Sequence, residues 1–329
     1  MTDSYYGAGR VAVLSLKLFT AEKFNRLAEC KTLADAVKIL YESGYGEGLV
    51  LENPADFERL LTKELTTTAE FLKELSSNKQ VCDCFLTQYD YLNAKILMKS
   101  KYLRLESLEL CYTVGLIDAK TLAEYINVDE YNLLPTRMKE ACEKIDIEFY
   151  EGKRNPKVVD ITLDKAMFAD ILEMSSKCGV NSVKEYFQCV VDTTNILTML
   201  RAKRAGIEAD SFEEMFIVGA TLKKEFVLSV YSEPFDKWIN MFEDSPYARF
   251  AQCGVDGVNK GSLFECERLA EQYKRSILTP HNFELTVEPL VCYYLSKLAE
   301  IENVRMCLIC IKNNFSAEQI KERIKSLYV

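Results

Sequence analysis

Asp90-Tyr91-Leu92-Asn93, Asp192-Thr193-Thr194-Asn195 and Glu300-Ile301-Glu302-Asn303 are the stretches from which the organisation of this chain is read. Each is an acid-x-x-Asn tetrapeptide set midway along a run with helical spacing. The three asparagines are separated by 102 and 108 residues. Ala94, Leu97 and Lys101 follow the first copy; Ile196, Met199 and Lys203 follow the second. Val304 and Cys307 follow the third, with Lys312 one place late. A Val-Gly pair comes next in two copies, Val114-Gly115 and Val218-Gly219, and then another helix. In the third copy Asn313-Asn314 and a helix from Ser316 take that place. Four-residue matches are weak alone, but the spacing, the helical context and the downstream helix recur together. A period far above the roughly 20–50 residues of solenoids points to triplicated small domains, not a stacked array. The expected division is 1–117, 118–219 and 220–329.

Around these copies, helix signals dominate. Thr32 can cap a helix through Val37, Leu40 and Tyr41 that Gly44 ends. Asn53-Pro54 reads as a cap followed by proline at the first helical position. Phe57, Leu60, Leu61, Leu65, Leu72 and Leu75 then keep a 3.6-residue period. A long helix over 81–102 carries Phe85, Tyr89, Leu92 and Ile96 on one face. Asp118 caps a short helix through Leu122 and Ile126. Asp160 or Thr162 opens one that ends near Gly179, and Ser182 opens another ended by Gly206. Asp210, Pro234 and Ser262 start three more. A long amphipathic helix covers 287–312, and Ser316 with Gln319 makes a capping box for the last. The best strand candidate, 158–163, is short and isolated.

Composition fits an all-α protein. Thirteen glycines and seven prolines in 329 residues fall well below the average share of about 12 %, which disfavours turn-rich sandwiches and propellers. The net charge of −9 gives no sign of the basic face that phosphate neutralisation requires, so nucleic acid is not an expected partner. Twelve scattered cysteines without an export signal read as small buried hydrophobes in a reducing cytosol. The longest apolar run, 306–311, is far short of the ~20 residues that span a bilayer.

Catalytic and ligand signatures are sparse. No Gly-x4-Gly-Lys-Ser/Thr phosphate cradle occurs. Gly7-Ala8-Gly9 with Ala12 echoes a dinucleotide fingerprint but lacks the preceding strand, and reads as a flexible N-terminal entry. Cys307-x-x-Cys310 is half a zinc site without a second pair; like Cys82 and Cys84, these read as core thiols. His281 is the single histidine, and no cysteine is singled out as its partner. Glu300 and Glu302 read as a solvated face, as charged helix neighbours usually are. The expectation is no catalytic, cofactor or metal residue. Asp90, Asn93, Asp192, Asn195, Glu300 and Asn303 are expected to be structural, the asparagine bonding to a backbone group or a neighbouring helix.

Taken together, the three acid-x-x-Asn copies, the Tyr-rich start leading into Arg10-Val11 and the Ser316-Ala317-Glu318-Gln319-Ile320 segment resemble the C-subunit family of prokaryotic V-type ATPases, similar to the d-subunit of the eukaryotic vacuolar enzyme. Leu222-Lys223-Lys224-Glu225-Phe226, leading to Tyr231, Phe235 and Pro246-Tyr247, fits the start of that family's third domain. The resemblance runs from Tyr5 to Ile324, with Gly9 standing where a polar residue is expected. It implies three similar helical domains in a pseudo-threefold funnel. It implies a non-catalytic central-stalk connector that passes torque between the rotor shaft and the membrane proteolipid ring, with no cofactor. Membrane association is then indirect, peripheral on the cytoplasmic face, through ring and shaft contacts in which exposed Tyr and Phe serve as anchors. An unrelated helical interaction scaffold and an enzyme with a carboxylate pocket are the rival readings.

Overall fold

A computed structural model of the chain describes residues 2–105, 107–152, 155–281 and 286–325; the side chains of residues 2–6 and 8 lie outside that description. Tyr5 and Tyr6 of the N-terminal reading are among those side chains. Every regular element among the described residues is helical. In chain order the α-helices are α1 (Thr2–Ser15), α2 (Ala21–Ala28), α3 (Leu33–Glu42), α4 (Glu58–Leu75), α5 (Lys79–Leu103), α6 (Ala119–Asn127), α7 (Thr136–Tyr150) and α8 (Pro156–Lys177). They continue with α9 (Asn181–Arg204), α10 (Ala209–Met215), α11 (Lys224–Ser232), α12 (Phe235–Met241), α13 (Ala248–Lys260), α14 (Phe264–Leu278), α15 (Glu288–Lys312) and α16 (Ala317–Lys321). The fold is all-α.

Side-chain caps explain five of the α-helix starts, those of α2, α3, α6, α8 and α16. The Thr32 hydroxyl accepts the Asp35 N–H at 3.1 Å, and the Asp118 carboxylate accepts the N–H groups of Lys120 and Thr121 at 3.1 Å each. Ser316 and Gln319 exchange bonds in a full capping box. These caps satisfy N–H groups that have no partner inside the first helical turn. Asn53-Pro54 starts a single 3-10 turn, Pro54–Asp56, and the long helix begins four residues later at Glu58.

Three expectations are corrected. The strand at 158–163 is helix: α8 begins at Pro156 under an Asn155 cap, ahead of both Asp160 and Thr162. Its β-branched residues favour strand locally, but Val159, Leu163, Met167 and Ile171, four apart, make one buried stripe, and burial outweighs that preference. The Gly7-Ala8-Gly9 segment lies inside α1, so it is neither a flexible entry nor a phosphate-binding turn. Helix α5 buries Tyr91, Ala94, Leu97 and Met98 beside Phe85 and Tyr89, while Leu92 and Ile96 are only half-buried. It is covered on more than one side, so a single stripe understates its buried surface.

The chain gathers into two compact units, Met1–Cys82 with Thr279–Val329, and Asp83–Leu278. In the first, α15 is the central helix and α1, α2, α3 and α4 pack against it, burying Val291, Tyr294, Val304 and Leu308. Helix α16 rests on α2. In the second, α9 is central, packed against α8, α13 and α14. Its core joins Ile196, Met199 and Leu200 to Phe212, Trp238, Phe242 and Phe250.

Trp238 is fully buried there, and its indole N–H donates to the Glu233 carbonyl at 2.9 Å. Trp238→Ala is expected to lower stability by about 3–5 kcal/mol through the cavity it leaves. Urea unfolding followed by circular dichroism measures this; a loss below about 1 kcal/mol would contradict the packing described.

Candidate functional site: three acid and asparagine clamps

All six signature residues are buried. Asn93, on α5, makes a two-point bond to the backbone of one residue: its Nδ2 donates to the Tyr112 carbonyl at 2.9 Å, and its Oδ1 accepts the Tyr112 N–H at 2.7 Å. Asn195, on α9, does the same to Ile217, at 2.8 and 2.9 Å. Asn303, on α15, does the same to Lys325, at 3.4 and 3.0 Å. A carboxamide is the side chain that carries both an acceptor and a donor in this arrangement. An aspartate at that position could accept but not donate.

The acid holds the next stretch of chain. Asp90 Oδ1 accepts the N–H groups of Leu116 and Ile117 at 2.9 Å each. Asp192 accepts those of Thr221 and Leu222 at 3.2 and 3.0 Å, together with the hydroxyls of Thr221 and Tyr247. Glu300 accepts the Phe19 N–H and the Tyr45 hydroxyl, both at 2.5 Å. Ile117, Leu222 and Phe19 each immediately precede the N-cap of a short helix: Asp118 for α6, Lys223 for α11 and Thr20 for α2. The carboxylates therefore sit at helix entrances, where unpaired N–H groups and the helix dipole favour negative charge.

Recurrence extends past the tetrapeptides. Eleven residues after each asparagine stands a residue in the left-handed conformation: Arg104 (φ 55°), Gly206 (φ 67°) and Asn314 (φ 58°). The next residue closes the helix end by donating to a carbonyl five residues back, Leu105 to Ser100, Ile207 to Ala202 and Phe315 to Cys310, each at 3.0 Å. Glycine and asparagine suit that conformation; arginine carries a penalty of about 1 kcal/mol or more.

This geometry corrects the register of the third copy. Helix α16 lies between the end of its motif helix and the residue its asparagine holds, as α10 does in the second copy. The stretch that would answer to Leu116-Ile117 comes instead from the amino end of the chain, at Phe19. Glu300 reaches it across 281 positions of sequence.

Glu300 is also not part of a solvated face. Residues two apart point about 200° apart on a helix, so Glu302 is exposed while Glu300 is buried. The Lys297 ammonium lies 2.7 Å from both Glu300 and Glu64. Burial alone would lower its pKa, but the two carboxylates outweigh burial and raise it. Burial and the Glu300 charge push the Tyr45 phenol well above its usual range. The sequence signal for Lys297 was its place three residues before Glu300 on one helix face. Gly115 had a signal only as half of a Val-Gly pair; an added Cβ there would collide with Asp90 Oδ1.

The lysines that follow the motifs differ. Lys101 pairs with Asp129 and Asp146, Lys203 donates to the Tyr231 carbonyl at 2.6 Å, and Lys312 is exposed. None of the twelve cysteines forms a disulfide and eight are buried; burial pushes the Cys84, Cys142, Cys266 and Cys307 thiols up to about 12. Among the described residues no group of three His, Cys, Asp or Glu side chains is placed to hold a metal ion. No described helix is long and apolar enough to cross a membrane.

These features define an all-helical protein in which buried acids and asparagines on three long helices fasten the chain's own loops. The chain belongs to the ATP synthase (C/AC39) subunit family, which matches residues 8–323. It is similar to the C-subunit of the A-type ATP synthase of Pyrococcus abyssi, 25 % identical over 99 % of this chain and 91 % of that protein. It is similar to the same component of the Thermococcus gammatolerans enzyme, 24 % identical over 98 % and 90 %. It is likewise similar to the C-subunit of the V-type sodium ATPase of Enterococcus hirae, 20 % identical over 95 % of each.

Two outcomes follow from the clamps and the thiols. Gly115→Ala forces its methyl against a carboxylate oxygen anchored by two N–H groups and is expected to cost about 1–3 kcal/mol. The loss should be less than additive with Asp90→Ala in a denaturation cycle; full additivity would mean that the two do not meet. Cys84, Cys142, Cys266 and Cys307 should resist iodoacetamide at pH 8 in the folded chain, because the thiolate is the reactive form. Mass mapping before and after unfolding reads this out, and rapid native labelling at those four would refute it.

Proposed function

We propose that this chain is a non-catalytic central-stalk connector of an A/V-type rotary ATPase, joining the rotor shaft to the membrane proteolipid ring and passing torque between them. The observation that carries the reading is membership of the ATP synthase (C/AC39) subunit family over almost the whole chain. Membership also removes the reading as an unrelated scaffold. The clamps support a mechanical role. A torque-bearing part needs junctions that do not yield, and each clamp ties a helix interior to the backbone at another helix entrance through charge-assisted or paired bonds.

Division into three similar domains, 1–117, 118–219 and 220–329, in a pseudo-threefold funnel, is part of the same proposal. Each range contains one acid-x-x-Asn helix whose end, eleven residues past the asparagine, is closed in the left-handed conformation, which supports a common ancestry of the three parts. Attachment on the cytoplasmic face is through protein contacts; the absence of a membrane-length apolar helix among the described residues is compatible with that. Among those residues the exposed large apolar side chains are mostly aliphatic, with Tyr150 and Phe315 as the aromatic exceptions. Tyr150 and Phe315 are therefore the aromatic side chains available as anchors among the described residues.

The purified chain is expected to show no steady ATP hydrolysis and no flotation with liposomes, and to co-purify from native membranes with the ATPase shaft and ring subunits. Sustained turnover by the isolated chain would end the non-catalytic reading. Stable liposome binding that added partner subunits leave unchanged would show that lipid holds it.

A further inference from the structure

Glu300 fastens more than the entrance of α2. It accepts the Phe19 N–H and the Tyr45 hydroxyl, so one carboxylate pins both ends of the segment 19–45. That segment holds two short helices, α2 and α3, both packed on α15. Glu64, on α4, accepts the Gly46 N–H at 3.3 Å, one residue further on. The Lys297 ammonium lies between the two acids, 2.7 Å from each, and 4.3 Å from the centre of the Tyr45 ring. Lys297, Glu300, Phe19 and Tyr45 are all buried. The other two acids hold a loop that their own asparagine already fixes a few residues earlier, at Tyr112 and Ile217. Glu300 holds a segment from a distant part of the sequence.

The borders of the segment permit movement. Gly44, Gly46 and Gly48 follow α3 at φ 85°, 80° and 87°. Glycine enters and leaves that conformation at little cost, and hinge motions are absorbed in such short stretches. At the other border the chain turns between α1 and α2 beside Leu16, which is 85 % exposed. The seat of the segment is modest. Helix α2 buries Phe24, Leu27 and Ala28, and α3 buries Ala36, Val37 and Leu40. The tie from α16, Lys321 to Glu29, is exposed and therefore weak. Helices of eight and ten residues do not hold their shape alone, so the two depend on this seat and leave it together.

We propose that residues 19–45 form a strap that opens from α15 about the glycine turn, with Glu300, Lys297 and Glu64 as its lock. Closed, the Glu300 carboxylate is desolvated and needs the donors at the two ends of the strap. Open, water takes their place. Because both ends bond to one carboxylate, a rearrangement at Glu300 frees them together, while the clamps at Asn93 and Asn195 stay closed. The lysine keeps the acids in position for reclosing. The inference goes beyond the connector reading and stands without it.

Hydrogen–deuterium exchange of the intact chain, read by mass spectrometry, tests this. Amides of α2 and α3 are expected to exchange about tenfold faster or more than those of α4, α6 and α11. Helices α6 and α11 are the ones that the other two acids introduce, and α4 is a neighbour in the same unit. Tyr45→Phe removes one pin and keeps the ring; Glu300→Gln keeps the shape and removes the charge. Each variant is expected to speed α2 and α3 by about a further tenfold, with α4, α6 and α11 changed by less than about twofold. Exchange of α2 and α3 as slow as that of α4, α6 and α11 in the unmutated chain overturns the strap. So does an equal acceleration of every helix in the variants, because the lock then belongs to the whole fold. Should Glu300→Gln not fold, Tyr45→Phe and the unmutated chain carry the decision.

Discussion

Buried backbone must be hydrogen-bonded, and that constraint governs the interior of this protein. Long helices satisfy their own amides and carbonyls. The loops that leave them and turn back into the core do not. At three places the peptide of such a loop meets an asparagine that supplies both the missing acceptor and the missing donor, as a neighbouring strand would in a sheet. A carboxylate one helical turn earlier takes the next N–H groups, at the entrance of the following short helix. The acid and the amide differ because the two stretches of backbone present different groups: bare N–H donors in one case, an N–H and a carbonyl in the other.

The three clamps are variations on that theme. Asp90 needs the space left by Gly115. Asp192 accepts from backbone and from the Thr221 and Tyr247 hydroxyls. Glu300, one methylene longer, reaches the Phe19 amide and the Tyr45 hydroxyl and shares Lys297 with Glu64. An ammonium between a buried and a half-buried carboxylate is stabilised only because all three are paired, and removing one would leave uncompensated charge in a low-dielectric setting. The third clamp also fastens two segments from opposite ends of the chain, Phe19 and Lys325, to one helix. The closure that loop sequence supplies in the first two copies is supplied there by the amino-terminal segment.

Helix α5 is buried in its middle and exposed at its carboxyl end. Asp90 and Asn93 sit in the buried middle of the helix, where conformational freedom is removed. The carboxyl end, eleven residues past Asn93, exposes leucines and a strained arginine. The positive φ of Arg104 closes that end, letting Leu105 donate to the Ser100 carbonyl.

Periodicity alone determined the helical class, most helix starts and the identity of the repeated acids and asparagines, because capping chemistry and apolar spacing are local. Thr32, Asp118 and the Ser316–Gln319 box act within one turn of the chain, so their effect could be read from neighbours in sequence. Tertiary structure decided what no local pattern contains. Residues 158–163 became helix because a stripe spaced by four was buried, overriding β-branched preference. Glu300 became an interior charge because Lys297, Tyr45 and Phe19 surround it. Its partner loop lies 281 residues away, and spacing along the chain carries no trace of a pairing that only folding brings together.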